Sequence, residues 1–449
     1  MKNNKAILTE GNVGNLIIKL TLPMIIGMMG FVVFNLVDTF YITRLGVEQT
    51  AALTFTFPVV LIVNNIALGL GLGTASVISR AVGEGDEKKV KELSTDSLLL
   101  AVLVVFICMI IGLNTIEPVF KLLGASDATM IYIQKYMKIW YLGSSFVVVP
   151  MVGNNIIRAL GDTKTPAMIM LVSATTNIIL DPILIFGIGP FPKMGIAGAA
   201  IATVLSRMIS FVFALYILIE RDRIITIKLK KVSEVINDWK EILYIGIPSM
   251  VTRMTLPFAS GIVTNIISAY GVFAVAGYGI ATRIEFFLLM VVRAMAAIMI
   301  PFVGQNYGAG KRNRIIESMK FCEKISLSLG VFTYFIMILF SKYIAFIFTN
   351  EMEIVHIIVL YLMIVPLGYG MQGIFLANTS ILNAVNKPIY ASTLTFFQIF
   401  IVYIPLVKIL SNFFEIKGIF IALSFSYILG GLIAKIAVKR ILNHMIIEW

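Results

Sequence analysis

Apolar residues in this chain come in runs of about twenty or more, and polar residues gather in short clusters between them. A run of that length crosses a bilayer as a helix, because a helix rises about 1.5 Å per residue and the hydrocarbon core is about 30 Å thick. Twelve runs can be placed, near 15–42, 51–79, 95–114, 131–157, 166–189, 195–219, 243–268, 272–303, 318–340, 354–382, 388–410 and 417–438. The pattern predicts an all-α integral membrane protein with 12 transmembrane helices.

The longest polar connection, about residues 220–242, divides the spans six and six. Its basic, partly amphipathic character suits a segment lying on the inner leaflet. We therefore expect an N-lobe over 1–219, a cytoplasmic linker over 220–242 and a C-lobe over 243–449. The halves also resemble each other. At a shift of 225, Pro23 meets Pro248, Gly46 meets Gly271, Gly83 meets Gly308 and Gly85 meets Gly310. At a shift of 223, Pro182 meets Pro405, Gly195 meets Gly418 and Ile196 meets Ile419. Six spans inserted twice in the same direction predict a parallel pseudo-two-fold repeat, the plan on which transporters build sites at repeat interfaces.

Charge orients the spans. Of the 36 Lys and Arg, 23 fall on the side that holds the N-terminus, 8 on the other side and 5 deep inside spans. By the positive-inside rule both termini are expected in the cytoplasm, in a multi-pass protein of the inner or plasma membrane. The same bias accounts for the net charge of +12 with no nucleic-acid partner. Composition agrees: 13% of residues are charged, about half the share in soluble domains, and the mean hydropathy is +0.95. The polar start MKNNKAILTEGN leads into a full span with no small-residue cleavage site, so no cleavable signal peptide is expected.

Several apparent motifs carry no chemistry. Cys108 and Cys322 lack CxxC spacing, and neither His356 nor His444 has a second His or Cys one turn away. Gly69, Gly71 and Gly73 lie inside an apolar span, where close helix packing explains them better than a dinucleotide fingerprint. The stretch around Gly308–Lys311 misses the phosphate-loop pattern at both ends, with Gln305 and Arg312 where Gly and Ser or Thr are needed. Neither HExxH nor GxSxG occurs, so an enzyme is not expected.

Asp38 and Asp181 stand out. Each lies within a membrane-spanning run, where a carboxylate costs about 2.5–3.5 kcal/mol on insertion scales and is kept where it faces water or a partner. The competing role is burial against an Arg or Lys, yet neither helix places a basic residue close to its Asp. Asn177 lies four residues before Asp181 and so shares its helix face. In the second half, Arg253, Arg283, Glu285 and Arg293 lie within spans. Arg253 and Glu285 sit at similar depth counted from the span ends, which predicts a structural ion pair between spans 7 and 8.

The turn GQNYGAGK at 304–311, its counterpart SRAVGEGDEKK at 79–89 and the run NIILDPILIF to GIAGAAIATVLSR over 177–207 resemble the multidrug and toxic compound extrusion (MATE) transporters across essentially the whole chain. The paired Asp38 and Asp181 resemble the DinF-like branch. The resemblance implies an antiporter, working as a monomer without a cofactor, that exports organic and often cationic compounds as H+ or Na+ enters. It implies alternating access between two lobes. Asp38 and Asp181 match the family's N-lobe carboxylates, Asn177, Tyr136 and Thr203 match polar residues around them, and Asn154 matches a cavity residue. Pro23 matches the proline at which the first helix bends. For Tyr136 an interfacial position is the competing role. In place of the acidic residue that another bacterial branch carries in span 7, this chain has Arg253.

Asp38, Asn177, Asp181 and Thr203 together would form a cluster of hard oxygens able to hold Na+ or to share a proton. The 23 Met and 31 Phe suit an adaptable apolar cavity, although such residues are ordinary in membrane helices. The alternative function is a lipid-linked oligosaccharide flippase of related fold, which would need a strongly cationic cavity. Apart from Lys135 and Lys138 near the outer start of span 4, only Lys19 and Arg207 are basic within the N-lobe spans, while Arg253, Arg283 and Arg293 keep that reading open.

Overall fold

The computed structural model describes residues 6–226 and 230–444. Lys2, Lys5 and Lys228, which entered the charge count, lie outside the described residues. Among the described residues the chain is helical throughout, with no strand. In the first half the helices are α1 (Val13–Thr43), α2 (Val47–Glu84), α3 (Glu87–Leu122), α4 (Asp127–Leu142), α5 (Ser145–Ala159), α6 (Lys164–Phe186) and α7 (Ile196–Tyr216). The second half holds α8 (Val232–Ser268), α9 (Val272–Leu288), α10 (Met290–Gly308), α11 (Arg312–Phe348), α12 (Met352–Ile364), α13 (Tyr369–Ala384), α14 (Pro388–Phe396) and α15 (Ile404–His444).

Nine of the described helical stretches are long and apolar enough to cross a bilayer, or ten when α9 and α10, bent by 50° at their junction, count as one. Two facts bring this to the expected twelve. The pair α4 and α5 covers the run at 131–157, interrupted at Gly143 and Ser144. The stretch Pro388–Asn443 is 56 residues long and would reach about 84 Å if straight, far more than one crossing. It turns back at Glu415, whose φ of 50° and ψ of −136° are not helical. Large side chains such as Phe106, Ile111, Phe332, Phe335 and Leu339 are exposed, as lipid-facing surfaces require.

The repeat is written into the backbone. Gly46 and Gly271 precede α2 and α9 at φ 115° and 99°, and Gly85 and Gly310 end α2 and α10 at φ 76° and 67°. Gly161 at φ 95° matches Asn386 at φ 61°, again at a shift of 225. The break at Gly143 recurs at Gly368, where residues Val365–Gly368 form a 3-10 turn between α12 and α13. Near the ends of the halves the sequence match needs correcting. Gly195 has φ 57° and ψ −133°, which is the conformation of Glu415 and not of Gly418. Gly198 and Gly418 are the true counterparts, each passing so close to backbone (Leu184 O and Leu410 O) that a Cβ would collide. Matching residue identity placed glycine on glycine; the backbone reversal sets a register three residues away.

The chain divides into two compact units, one of Met1–Ile7 and Leu22–Met250, the other of Leu8–Thr21 and Val251–Trp449. Both α1 and α8 are cut by this division, one residue before and two residues after the paired prolines Pro23 and Pro248. In the first unit the glycines of α2 do the packing the sequence suggested. A Cβ on Gly73 would lie 2.3 Å from Ile242 O, and one on Gly69 3.0 Å from Gly246 O.

Candidate functional site

Three helices of the first unit set the geometry. Gly27 lies against Ala167, Gly30 against Leu171, and Ile42 shares a small core with Ile185, so α1 and α6 run parallel in nearly fixed register. Ala199 of α7 completes that core. The helix α7 runs the other way, as Gly198 packs on Leu184 and Ser173 Oγ donates to Ser206 O at 2.8 Å. Asp38 and Asp181 each precede their core isoleucine by four residues, and Thr203 follows Ala199 by four. All three therefore lie one turn to the same side of the apolar cluster, at one level.

The side chains at this level are buried. Asn177 and Asp181 are 0% exposed, Tyr136 5% and Thr203 8%, and Asp38 is half-buried. Asn177 Nδ2 donates to Asp181 Oδ1 at 3.3 Å. The charges of Asp38 and Asp181 act on each other and both act on Tyr136, which brings α4 into the cluster. Tyr136 is thus an interior residue, not a member of an interfacial belt. Asp38 Oδ1, Asn177 Oδ1 and Asp181 Oδ2 are buried without a hydrogen-bond partner. All are acceptors. No basic side chain among the described residues offsets either aspartate. Buried acceptors of this kind call for protons or a cation.

Asn154 on α5 also has a buried, unpartnered Oδ1, and among the described residues no hydrogen bond joins that oxygen to the cluster. Pro23 stands in the interior of α1, where it removes a backbone donor and loosens the helix. Sequence reasoning missed the adjoining polar turn. Ser173 lies four residues before Asn177, so Ser173, Asn177 and Asp181 form one stripe along α6. A small cavity lined by Phe34, Met170, Ser173, Ala174 and Arg207 opens there, and the Arg207 guanidinium lies 5.0 Å from the Phe34 ring centre. The i, i+4, i+8 spacing was the available signal.

The predicted Arg253–Glu285 ion pair does not form. Tyr361 OH and Tyr427 OH both donate to the Glu285 carboxylate, the latter at 2.8 Å, and the guanidinium whose charge reaches it belongs to Arg293. Equal depth proved insufficient: Glu285 sits at the end of α9, just before the bend, and the bend brings up the first turn of α10. Arg283 is exposed.

The MatE family model matches residues 23–183 and 248–409, one stretch in each half. The chain belongs to the MATE transporter family. It is 34% identical over 441 residues to an FAD transporter of Shewanella oneidensis, covering 98% of this chain and 97% of that one. It is 26% identical over 433 residues to the multidrug export protein MepA of Staphylococcus aureus, covering 95% and 94%. Among solved structures, a mutant of the Vibrio cholerae MATE transporter VcmN superposes with a TM-score of 0.92 at 28% identity, over 96% and 97% of the two chains. The protein is a multi-pass membrane transporter of the MATE family and not an enzyme; its fold is 12 helices in two lobes. The flippase alternative is not favoured.

Proposed function

We propose that this transporter exports small organic molecules by antiport and that the inward-moving ion is taken up at Asp38, Asn177, Asp181 and Thr203, with Tyr136 beside them. One observation carries the reading: two membrane-embedded carboxylates share a level with neutral oxygen ligands, have unpartnered acceptor atoms and lack a basic partner. A proton shared between the aspartates satisfies that set, and so does Na+ held by carboxylate, amide and hydroxyl oxygens. Substrate release follows from competition, because a group that has taken its proton or Na+ no longer attracts a cation. Asn154 contributes to the substrate cavity, and Pro23 lets α1 bend between states.

The paired aspartates support a place in the DinF-like branch. The protein acts as a monomer in the plasma membrane, with both termini cytoplasmic, lobes over 1–219 and 243–449 and the linker 220–242 between them. The test is transport in proteoliposomes under an imposed proton gradient and, separately, a sodium gradient. Export of an ethidium-like cation under one gradient and not the other identifies the ion; export under neither rejects the antiport reading. A second substrate reading has its own support. The relative at 34% identity is named for FAD, a dinucleotide anion, and the second unit carries arginines within its membrane helices.

A further inference from the structure

In the first unit the buried polar atoms that lack partners around Asp38 and Asp181 are acceptors. Around Arg293 in the second unit they are donors or hydroxyls able to donate, including Ser326 Oγ beside Gly373. Arg293 Nε and Tyr369 OH are both buried without a hydrogen-bond partner, and Tyr369 is only 2% exposed. Both residues stand at helix starts. Arg293 lies in the first turn of α10, which begins at the 50° bend, and Tyr369 is the first residue of α13, which begins after the 3-10 turn at Val365–Gly368.

The two starts lie together. The helices α10 and α13 pack on one another, and a Cβ on Gly373 would lie 3.1 Å from Val292 Cγ1, so the first turns are level. Neither start has a side-chain cap, at Leu289 or at Gly368. A helix N-terminus carries about half a positive charge and offers backbone donors. Half-helices that open part-way along a span are where transporters meet anionic groups. The charges of Glu285 and, after it, Arg293 both reach Tyr369, and the charge of Arg293 also acts on Arg253 of α8. Among the described residues Glu285 is the one acidic group whose charge reaches this cluster, and its carboxylate is already engaged by Tyr361 and Tyr427. Arg253, Arg293 and Glu285 together leave one positive charge in excess, with free donors, inside membrane-spanning helices.

We propose that Arg253, Arg293 and Tyr369 form an anion-binding subsite in the second unit, and that it takes the pyrophosphate of a soluble dinucleotide. Two guanidinium groups match the two phosphoryl groups of a diphosphate, since the planar fork suits phosphate oxygens. Tyr369 OH donates to the anion, and the paired helix starts supply the remaining field. The Phe286 ring, 5.3 Å from the Arg293 guanidinium, holds that side chain at the helix start. This deepens the second substrate reading above and rests on the chain being a transporter, but not on the identity of the coupling ion.

Equilibrium binding to the purified full-length protein, with no gradient present, tests the subsite apart from the antiport reading. The probes are FAD, inorganic pyrophosphate as competitor, an ethidium-like cation and a prenyl pyrophosphate lipid. The wild-type protein should bind FAD and release it to pyrophosphate. Arg293→Gln and Tyr369→Phe should each weaken FAD binding about tenfold or more, the scale of a lost hydrogen bond to a charged group. Arg293→Lys should recover part of the loss, and cation binding should change less than twofold in all three variants. Tyr369→Phe retains the ring, so it decides the matter if Arg293→Gln fails to fold. Unchanged FAD affinity in Tyr369→Phe overturns the subsite, as does parallel loss of FAD and cation binding. Tighter, Arg293-dependent binding of the prenyl pyrophosphate than of FAD overturns the dinucleotide assignment in favour of a lipid source. Gradient-driven cation export that persists while FAD fails to bind rejects the subsite and leaves the antiport reading standing.

Discussion

At the scale of single residues, the carboxylates of the two units are held in opposite ways, and substitution should separate them. Asp38 and Asp181 have unpartnered oxygens, so replacing either by Asn removes a charge with no basic partner and leaves the shape intact. Each variant should insert and melt no lower than the wild type, because losing a buried charge relieves its desolvation cost. Each should nevertheless lose gradient-driven export, measured as uphill transport in proteoliposomes. Wild-type export by both would reject the carboxylate mechanism. Glu285 is the reverse case, fully engaged by Tyr361 and Tyr427. Glu285→Gln keeps one acceptor oxygen for two hydroxyl donors and should destabilise by about 1–3 kcal/mol in a thermal melt. Arg253→Met should not destabilise, since Arg253 is no partner of Glu285 and its charge opposes that of Arg293. Equal losses from the two substitutions would restore the ion pair expected from the sequence.

Among the elements, the starts of α1 and α8 are fastened in related ways. In the second unit, Arg314 donates to the carbonyl oxygens of Leu8, Glu10 and Gly11, Lys311 to that of Thr9 and Asn306 to that of Leu8, while Gly14 packs against the Phe321 ring. In the first unit, Trp239 Nε1 donates to Asp96 O at 2.9 Å. The repeat shift that pairs Pro23 with Pro248 also pairs Gly14 with Trp239 and Asp96 with Phe321, so one contact is made twice with the large and small partners exchanged. Lys230 completes the first-unit fastening, with Asp238, Asp96 and Glu92 carboxylate oxygens at 2.6, 3.1 and 3.3 Å. Partial burial alone would lower the lysine pKa, but the carboxylates of Asp238, Asp96 and Glu92 outweigh it and raise the value above the ordinary range. A raised lysine pKa gives stability that is fully present below the unfolded value near 10.4 and is lost only as pH rises through the folded value. The fastening should therefore hold unchanged from neutral pH to about pH 10. Lys230→Met strands three carboxylates and should cost about 1.5–3 kcal/mol at pH 7 in a melt, a deficit that shrinks toward pH 4 as they take up protons. A deficit that stays constant with pH would mean that Lys230 acts through packing alone.

The whole molecule shows why some of this was legible and some was not. Span number and repeat were readable because hydropathy records apolar length, and glycine and proline record backbone demands that recur at one fixed shift between the halves. The breaks at Gly143, Leu289 and Gly368 were not, because an apolar run reads the same whether its axis is straight or bent by 50°. Asp38, Asn177 and Asp181 were legible because charge in an apolar run is costly; Ser173 was not, since a lone serine in a helix satisfies itself cheaply. The repeat also carries different chemistry in each half. At a shift of 225, Asp38 faces Val263, and Arg253 and Arg293 face Met28 and Leu68. A fold built twice thus carries Asp38 and Asp181 in one half and Arg253, Glu285 and Arg293 in the other, at positions the repeat does not pair, and their functions depend on which side of the membrane each connection faces. The distribution of Lys and Arg predicts the segment 220–240 and the turn near Lys311 in the cytoplasm, with Arg44 and Lys193 outside. Single cysteines placed at these four sites in a chain freed of Cys108 and Cys322 should react with an impermeant thiol reagent accordingly. In intact cells the Arg44 and Lys193 positions should label; the other two should label only after the membrane is opened. Labelling of the 220–240 segment from outside would invert the topology, and with it the direction in which Asp38 and Asp181 would have to pass their ion.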